Sequence, residues 1–255
     1  MASFVINTRV ELWKCRKSAA YWISIIGSAF IPLVLLISYL ARPDIFIKEL
    51  GPNPWKAHMM AALQPAAAFL LPMYTILVTS LVVQIEYRNN TWKQVYASPR
   101  SFADIYFSKF LVVHLLIISC FLLFNMFLVL SGYIANIFRP GYSFFASAVP
   151  WDTLFLITAK LYISLLAVTA IQYWISLRLR NYIAPVGIGL ALLITGIMAM
   201  QWDKIIYYPY AYTAVTFFKD GASKPMGVQG MYSMIWMAAI LALSFWDTID
   251  RREKG

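Results

Sequence analysis

Apolar runs long enough to cross a bilayer recur along this chain, and no other feature restricts its fold as much. In lipid every backbone N–H and C=O must be satisfied internally, which leaves only helices or closed barrels. The runs are nearer the ~20 residues that carry a helix across a ~30 Å hydrocarbon core than the ~10 of a barrel strand. At 61% hydrophobic and 13% charged, the chain also carries about half the charge of an ordinary soluble domain. The reading is all-α: a polytopic membrane protein forming a single transmembrane domain over residues 1–255.

Six spans are expected, at 21–40, 59–84, 105–130, 153–177, 183–200 and 230–246. Pro65 and Pro72 should kink the second. Residues 3–18 read as an interfacial helix, because Ile6, Val10 and Trp13 share a face while Lys14, Arg16 and Lys17 can meet head groups. A plain basic anchor is the alternative. Residues 205–218 are too short to span and are split by Pro209, so 201–229 is expected to be an outer, re-entrant or interfacial segment. Its Tyr207, Tyr208, Tyr210 and Tyr212 would form either a lid over a cavity or an interfacial belt.

The net charge of +10 sorts by side of the membrane instead of gathering on one element, so it does not point to nucleic acid. With the N-terminus inside, thirteen of the 21 basic residues fall on the cytoplasmic side and seven outside, leaving Lys160 within a span. That bias places both termini in the cytoplasm of a multi-pass protein. The mixed charges at Arg9, Glu11, Lys14, Arg16 and Lys17 do not resemble a cleavable signal. Cys15 and Cys120 should differ in depth and remain free thiols.

Between the second and third spans lies the longest polar interruption, Glu86 to Lys109. Asn90 can cap a short helix over 91–97, Pro99 stops it, and Ser101 with Asp104 forms a capping box that starts the next span. The segment therefore reads as a rigid cytoplasmic knuckle that a push would move together with both spans. Trp92 and Tyr96, four residues apart, share one face and could anchor in a partner's groove or pack on head groups.

Several chemistries have no signature here. The chain has no G-x-x-x-x-G-K-[ST] loop, no H-E-x-x-H and no G-x-S-x-G, and its two histidines sit on separate segments. No catalytic residues, metal ligands or bound cofactors are expected. Lys160, roughly 13 Å from its helix end, either faces a cavity and an anionic group or snorkels to water. Gln64 and Gln172 could line a pathway or simply hydrogen-bond between helices. Gly187, Ala191, Thr195 and Ala199 make a small-residue stripe for close helix approach, at a dimer seam or, as the safer assumption, within the chain.

Glu86, Thr91, Trp92, Lys93, Pro99, Arg100, Ser101 and Lys109 together resemble the cytoplasmic loop of permease subunits of type-two ABC exporters. The similarity is greatest to the bacitracin-resistance and lantibiotic-immunity group. Residues 171–189, IQYWISLRLRNYIAPVGIG, are similar to the turn between that group's fourth and fifth spans. The resemblance implies a non-catalytic subunit in a prokaryotic cell membrane, paired with a second copy or a sister permease. It also implies two copies of a separate ATPase that bind ATP and Mg, with residues 86–101 as the coupling helix. Export of a hydrophobic or amphipathic peptide, antibiotic or lipid-like molecule would follow. The alternative is an ATPase-coupled scaffold that does mechanical or signalling work without transport.

Overall fold

A computed structural model describes residues 2–51, 53–88, 101–220 and 226–254. The knuckle positions Thr91, Trp92, Lys93, Tyr96, Pro99 and Arg100 lie outside the described residues, as do Asn90 and the short helix expected at 91–97. Among the described residues there are helices and turns and no strand.

The helices are α1 (Ala2–Cys15), α2 (Ala19–Ala41), α3 (Pro43–Leu50), α4 (Pro54–Pro65), α5 (Leu71–Arg88), α6 (Phe102–Phe138), α7 (Trp151–Arg178), α8 (Ile183–Met198), α9 (Tyr212–Val215) and α10 (Val228–Lys254). Five stretches are long and apolar enough to cross a membrane: α2, α4 through α5, α6, α7 and Val228–Asp250 of α10, with mean hydropathy between 1.5 and 2.5. The expected fifth span is shorter than the others. At 16 residues α8 reaches only about 24 Å, against ~30 Å of hydrocarbon.

The boundaries follow local chemistry. Ser101 Oγ accepts the backbone N–H of Asp104 at 3.1 Å, which is one half of the expected capping box. Ser18 caps α2 in the same way through Tyr21 N–H. Pro43 and Pro54 open α3 and α4, where a missing N–H costs nothing. The third span outruns its expected end at 130 and continues to Phe138. Gly132 suits that continuation, because a Cβ there would lie 2.9 Å from the Trp55 ring.

Below Pro65 the second span does not simply kink. Residues Ala66–Leu70 form a π turn, and α5 then runs on through Pro72. A proline frees a carbonyl one turn earlier, and a widened turn is one way the backbone adjusts.

Helix α2 packs along α6, α7 along α10, and α5 runs through the middle against α7 and α8. Two ends result. The tips of α1, α5, α6, α7 and α10 that carry most of the basic residues meet at one end, and an aromatic cluster closes the other. Residues 205–220 enter from the aromatic end as 3-10 turns at Ile205–Tyr207 and Pro209–Ala211, then α9, then a π turn at Thr216–Asp220. Tyr210 packs on Ile76, Val168 and Leu193, in the interior of α5, α7 and α8. Irregular backbone at such depth is tolerable because it is buried in protein.

Candidate coupling junction

The residues on either side of the knuckle meet. Glu86 near the end of α5 and Lys109 in the first turns of α6 are each 1% exposed, with Lys109 Nζ 3.4 Å from Glu86 Oε1. Helix α1 supplies two more charges. Lys14 Nζ lies 2.7 Å from Glu86 Oε1 and 2.7 Å from Glu11 Oε1, and Lys109 also donates to Glu11 Oε2. Among the described residues, two lysines and two carboxylates thus join three helices with their charges balanced. Burying such charges is tolerable because each ion has opposite charge on more than one side.

This geometry leaves the apolar face of α1 outward and adds a buried polar stripe that the sequence reading did not anticipate. Ile6 and Trp13 are 55% and 63% exposed, while Asn7, Glu11 and Cys15, spaced four apart, face the protein. The helix turns its polar stripe inward, and its apolar side is free for lipid. Lys14, expected among head groups, binds Glu11 and Glu86 instead. Burial alone would lower its pKa, but the hydrogen bonds and charges of the two carboxylates outweigh that and hold it above the usual lysine value. Burial also pushes the Cys15 thiol up to about 11, despite the nearby Lys109 charge. Asn7, one turn before Glu11, is buried with its amide unpaired among the described residues.

A second junction at the same end joins α7 to α10. Arg178 forks onto Asp247 at 2.9 and 2.7 Å, Trp174 Nε1 donates to the same carboxylate at 3.0 Å, and the guanidinium stacks over the Trp174 ring. Behind it Tyr106, Phe110 and Tyr173 form an aromatic cluster with Phe245, and the Tyr173 hydroxyl bonds to Tyr106 O.

The other anticipated residues are dispersed. Lys160 is 4% exposed and does not reach the surface, because the turn at 216–220 and α10 pack over that face of α7. One turn on, Ser164 pairs with Thr216, and Ser233 of α10 donates to Ser164 O. Gln172 donates to Ser80 Oγ and Pro185 O and accepts from Tyr210, tying α5, α7, α8 and the 205–220 segment together. Gln64 is exposed. On α8 the expected stripe does not pack within the chain: Gly187, Ala191 and Thr195 are exposed and only Ala199 is half-buried. The inward face is Pro185, Gly189, Leu193 and Gly196. A Cβ on Gly189 would lie 2.6 Å from Gln172 Oε1 and 2.7 Å from Ile76 Cγ2, whereas Gly187 has open space around it. Three tyrosines of 205–220 turn inward and Tyr207 turns out. No group of three metal-ligating side chains occurs among the described residues.

Glu86, expected among the ATPase-coupling residues, is buried and points into the protein. Sequence reasoning missed Glu11 and Lys14. The available signal was Glu11, a lone carboxylate in an otherwise basic N-terminal segment, three residues before a lysine.

A family model described as ABC-2 family transporter protein matches residues 8–196, a stretch that contains all four charged residues of the cluster. Neither the curated proteins nor the solved structures contain a match to the chain. With most of its length matched and five spanning helices, the chain belongs to the ABC-2 family and is a membrane subunit of an ABC transporter.

Proposed function

We propose that the chain is the pathway-forming subunit of an ATP-driven exporter in the bacitracin-resistance and lantibiotic-immunity group. It moves a hydrophobic or amphipathic peptide, antibiotic or lipid-like molecule across a prokaryotic cell membrane. Two permeases, either copies of this chain or this chain with a sister, work with two ATPase subunits that bind ATP and Mg. Both termini and residues 86–101 lie in the cytoplasm, and the ATPase docks on Thr91, Trp92, Lys93, Tyr96, Pro99 and Arg100.

The observation that carries this reading is the four-charge cluster. The chain segment that leaves α5 at Glu86 returns in α6 at Lys109, and both ends are ionically bonded to α1. A displacement of the knuckle cannot move one span alone. It moves α5 and α6 and pulls α1 with them, while the paired lysines and carboxylates can exchange partners without leaving a charge unpaired. The dispersion of Lys160 and Gln172 into buried polar contacts supports a pathway formed between subunits more than one inside this chain.

The test is a proteoliposome assay with the partner ATPase. Trp92→Ala with Tyr96→Ala should abolish co-purification of the ATPase. Glu86→Gln should leave the complex assembled and hydrolysing ATP while substrate extrusion falls roughly tenfold or more. Extrusion at wild-type rates by Glu86→Gln would remove the cluster from the coupling path.

A further inference from the structure

We propose that the cleft between the α1–α2 turn, the lower half of α5 and the α7–α8 turn binds an anionic phospholipid of the leaflet at the basic end. The cleft has a volume of about 840 Å³, enough for a head group and the first part of its acyl chains. Its mouth carries Lys17, Arg88 and Arg180, all exposed, and its inner wall is apolar, with Ile23, Leu81 and Ile85. Among the described residues no carboxylate lines it. Among the described residues none of these three cations forms an ion pair, whereas Lys14 at the cleft's edge is held by Glu11 and Glu86.

Two features separate this cleft from an ordinary basic rim. Lys17 holds a left-handed backbone, φ +62°, in the three-residue turn between α1 and α2, so the chain accepts an unfavourable conformation where the side chain meets the mouth. The polar and apolar walls also lie in the order a phospholipid requires: cations where the helices end, and aliphatic side chains one to two turns deeper on α2 and α5. Converging like charges beside a low-dielectric wall focus the field on an anion. A soluble phosphate would match the cations but leave the aliphatic wall uncovered, and a zwitterionic lipid would match the wall but lose much of the charge attraction. An anionic diacyl lipid uses both.

The test needs no ATPase and does not depend on transport. The purified full chain in mild detergent is titrated with dioleoyl phosphatidylglycerol or dioleoyl phosphatidylcholine, and bound lipid is counted by native mass spectrometry. Each cation near an anionic surface contributes roughly a factor of five. The wild type should therefore prefer phosphatidylglycerol by about a hundredfold, and Lys17→Gln with Arg180→Gln should reduce that preference by about twenty-fold or more. Arg180→Gln alone gives a smaller loss in the same direction and keeps the test open should the double variant misfold. Lys56→Gln with Lys204→Gln, at the opposite end, should change nothing. Glycerol 3-phosphate should not displace the lipid. Equal retention of both lipids, an undiminished preference in the double variant, or displacement by glycerol 3-phosphate at comparable concentration would each overturn the assignment.

Discussion

The two ends of the helix bundle are closed by different chemistry. At the aromatic end, Trp55 Nε1 donates to Phe144 O and Ser147 O, at 3.1 and 3.0 Å. The Tyr39 hydroxyl meets His58 Nδ1, whose other nitrogen lies 3.0 Å from Leu128 O, and Tyr142 donates back to Tyr39 O at 2.7 Å. Asn136 Oδ1 accepts Phe144 N–H at 2.6 Å. The ion pairs between described residues, Lys14 and Lys109 with Glu11 and Glu86 and Arg178 with Asp247, are at the basic end. Directional hydrogen bonds between fully buried aromatic rings allow one arrangement. A cluster in which Lys14 serves two carboxylates and Glu86 two lysines allows several of similar energy. One end is built to hold and the other to move.

The largest expected effect tests the holding end. Trp55→Ala removes a ring that is 0% exposed and orphans two carbonyls, and should destabilise by about 3–5 kcal/mol in thermal unfolding. That loss should be the same in low and high salt. Lys109→Met should cost a similar or slightly smaller amount, about 3–5 kcal/mol, because it leaves Glu86 and Glu11 crowded on Lys14. Adding Glu86→Gln to Lys109→Met should then cost less than the sum of the two by about 0.5–3 kcal/mol. Strict additivity would mean the charges do not act as a unit.

Mobility can be read more directly from Cys15, which is 2% exposed beneath α1. With its pKa near 11, only about one thiol in a thousand is ionised at pH 8, so alkylation in a Cys120→Ala background should be slow. Glu86→Gln should speed it about tenfold by loosening α1, whereas Tyr142→Phe at the far end should not. The smallest effect concerns Lys14. Its pKa is raised on folding, so its contribution is complete below the ordinary lysine value of 10.5 and fades as pH climbs through the higher folded value. The melting temperature of the wild type should thus fall more steeply above pH 10.5 than that of Lys14→Met.

What was legible in the sequence was local. Long apolar runs gave six expected spans, of which five are long enough to cross and one is the shorter α8, and Ser101 with Asp104 revealed where α6 starts. The charge cluster was not legible because its partners lie 72 and 98 residues apart, and nothing in spacing announces such a pair. The partners of Lys14 were missed because it was assigned to the head groups without asking what the polar stripe of Asn7 and Glu11 would bury. On α8, Gly187 and Gly189 are equivalent by composition, and only the position of Gln172 decides which one lies against a neighbour. Segment 205–220 defeats periodicity altogether, since its turns change type every few residues.

The π turn at Ala66–Leu70 sits midway between these two ends, on a span that takes part in both. Above it, α4 is fastened by Trp55 and His58; below it, α5 carries Glu86. A turn holding one surplus residue breaks the regular hydrogen-bond ladder, and sharp bends in long helices gather at such turns. The second span is therefore two shafts joined by a hinge. A tilt arriving at Glu86 can move the lower shaft while the upper one stays fastened at the aromatic end, so the subunit can be driven from below while its roof stays still.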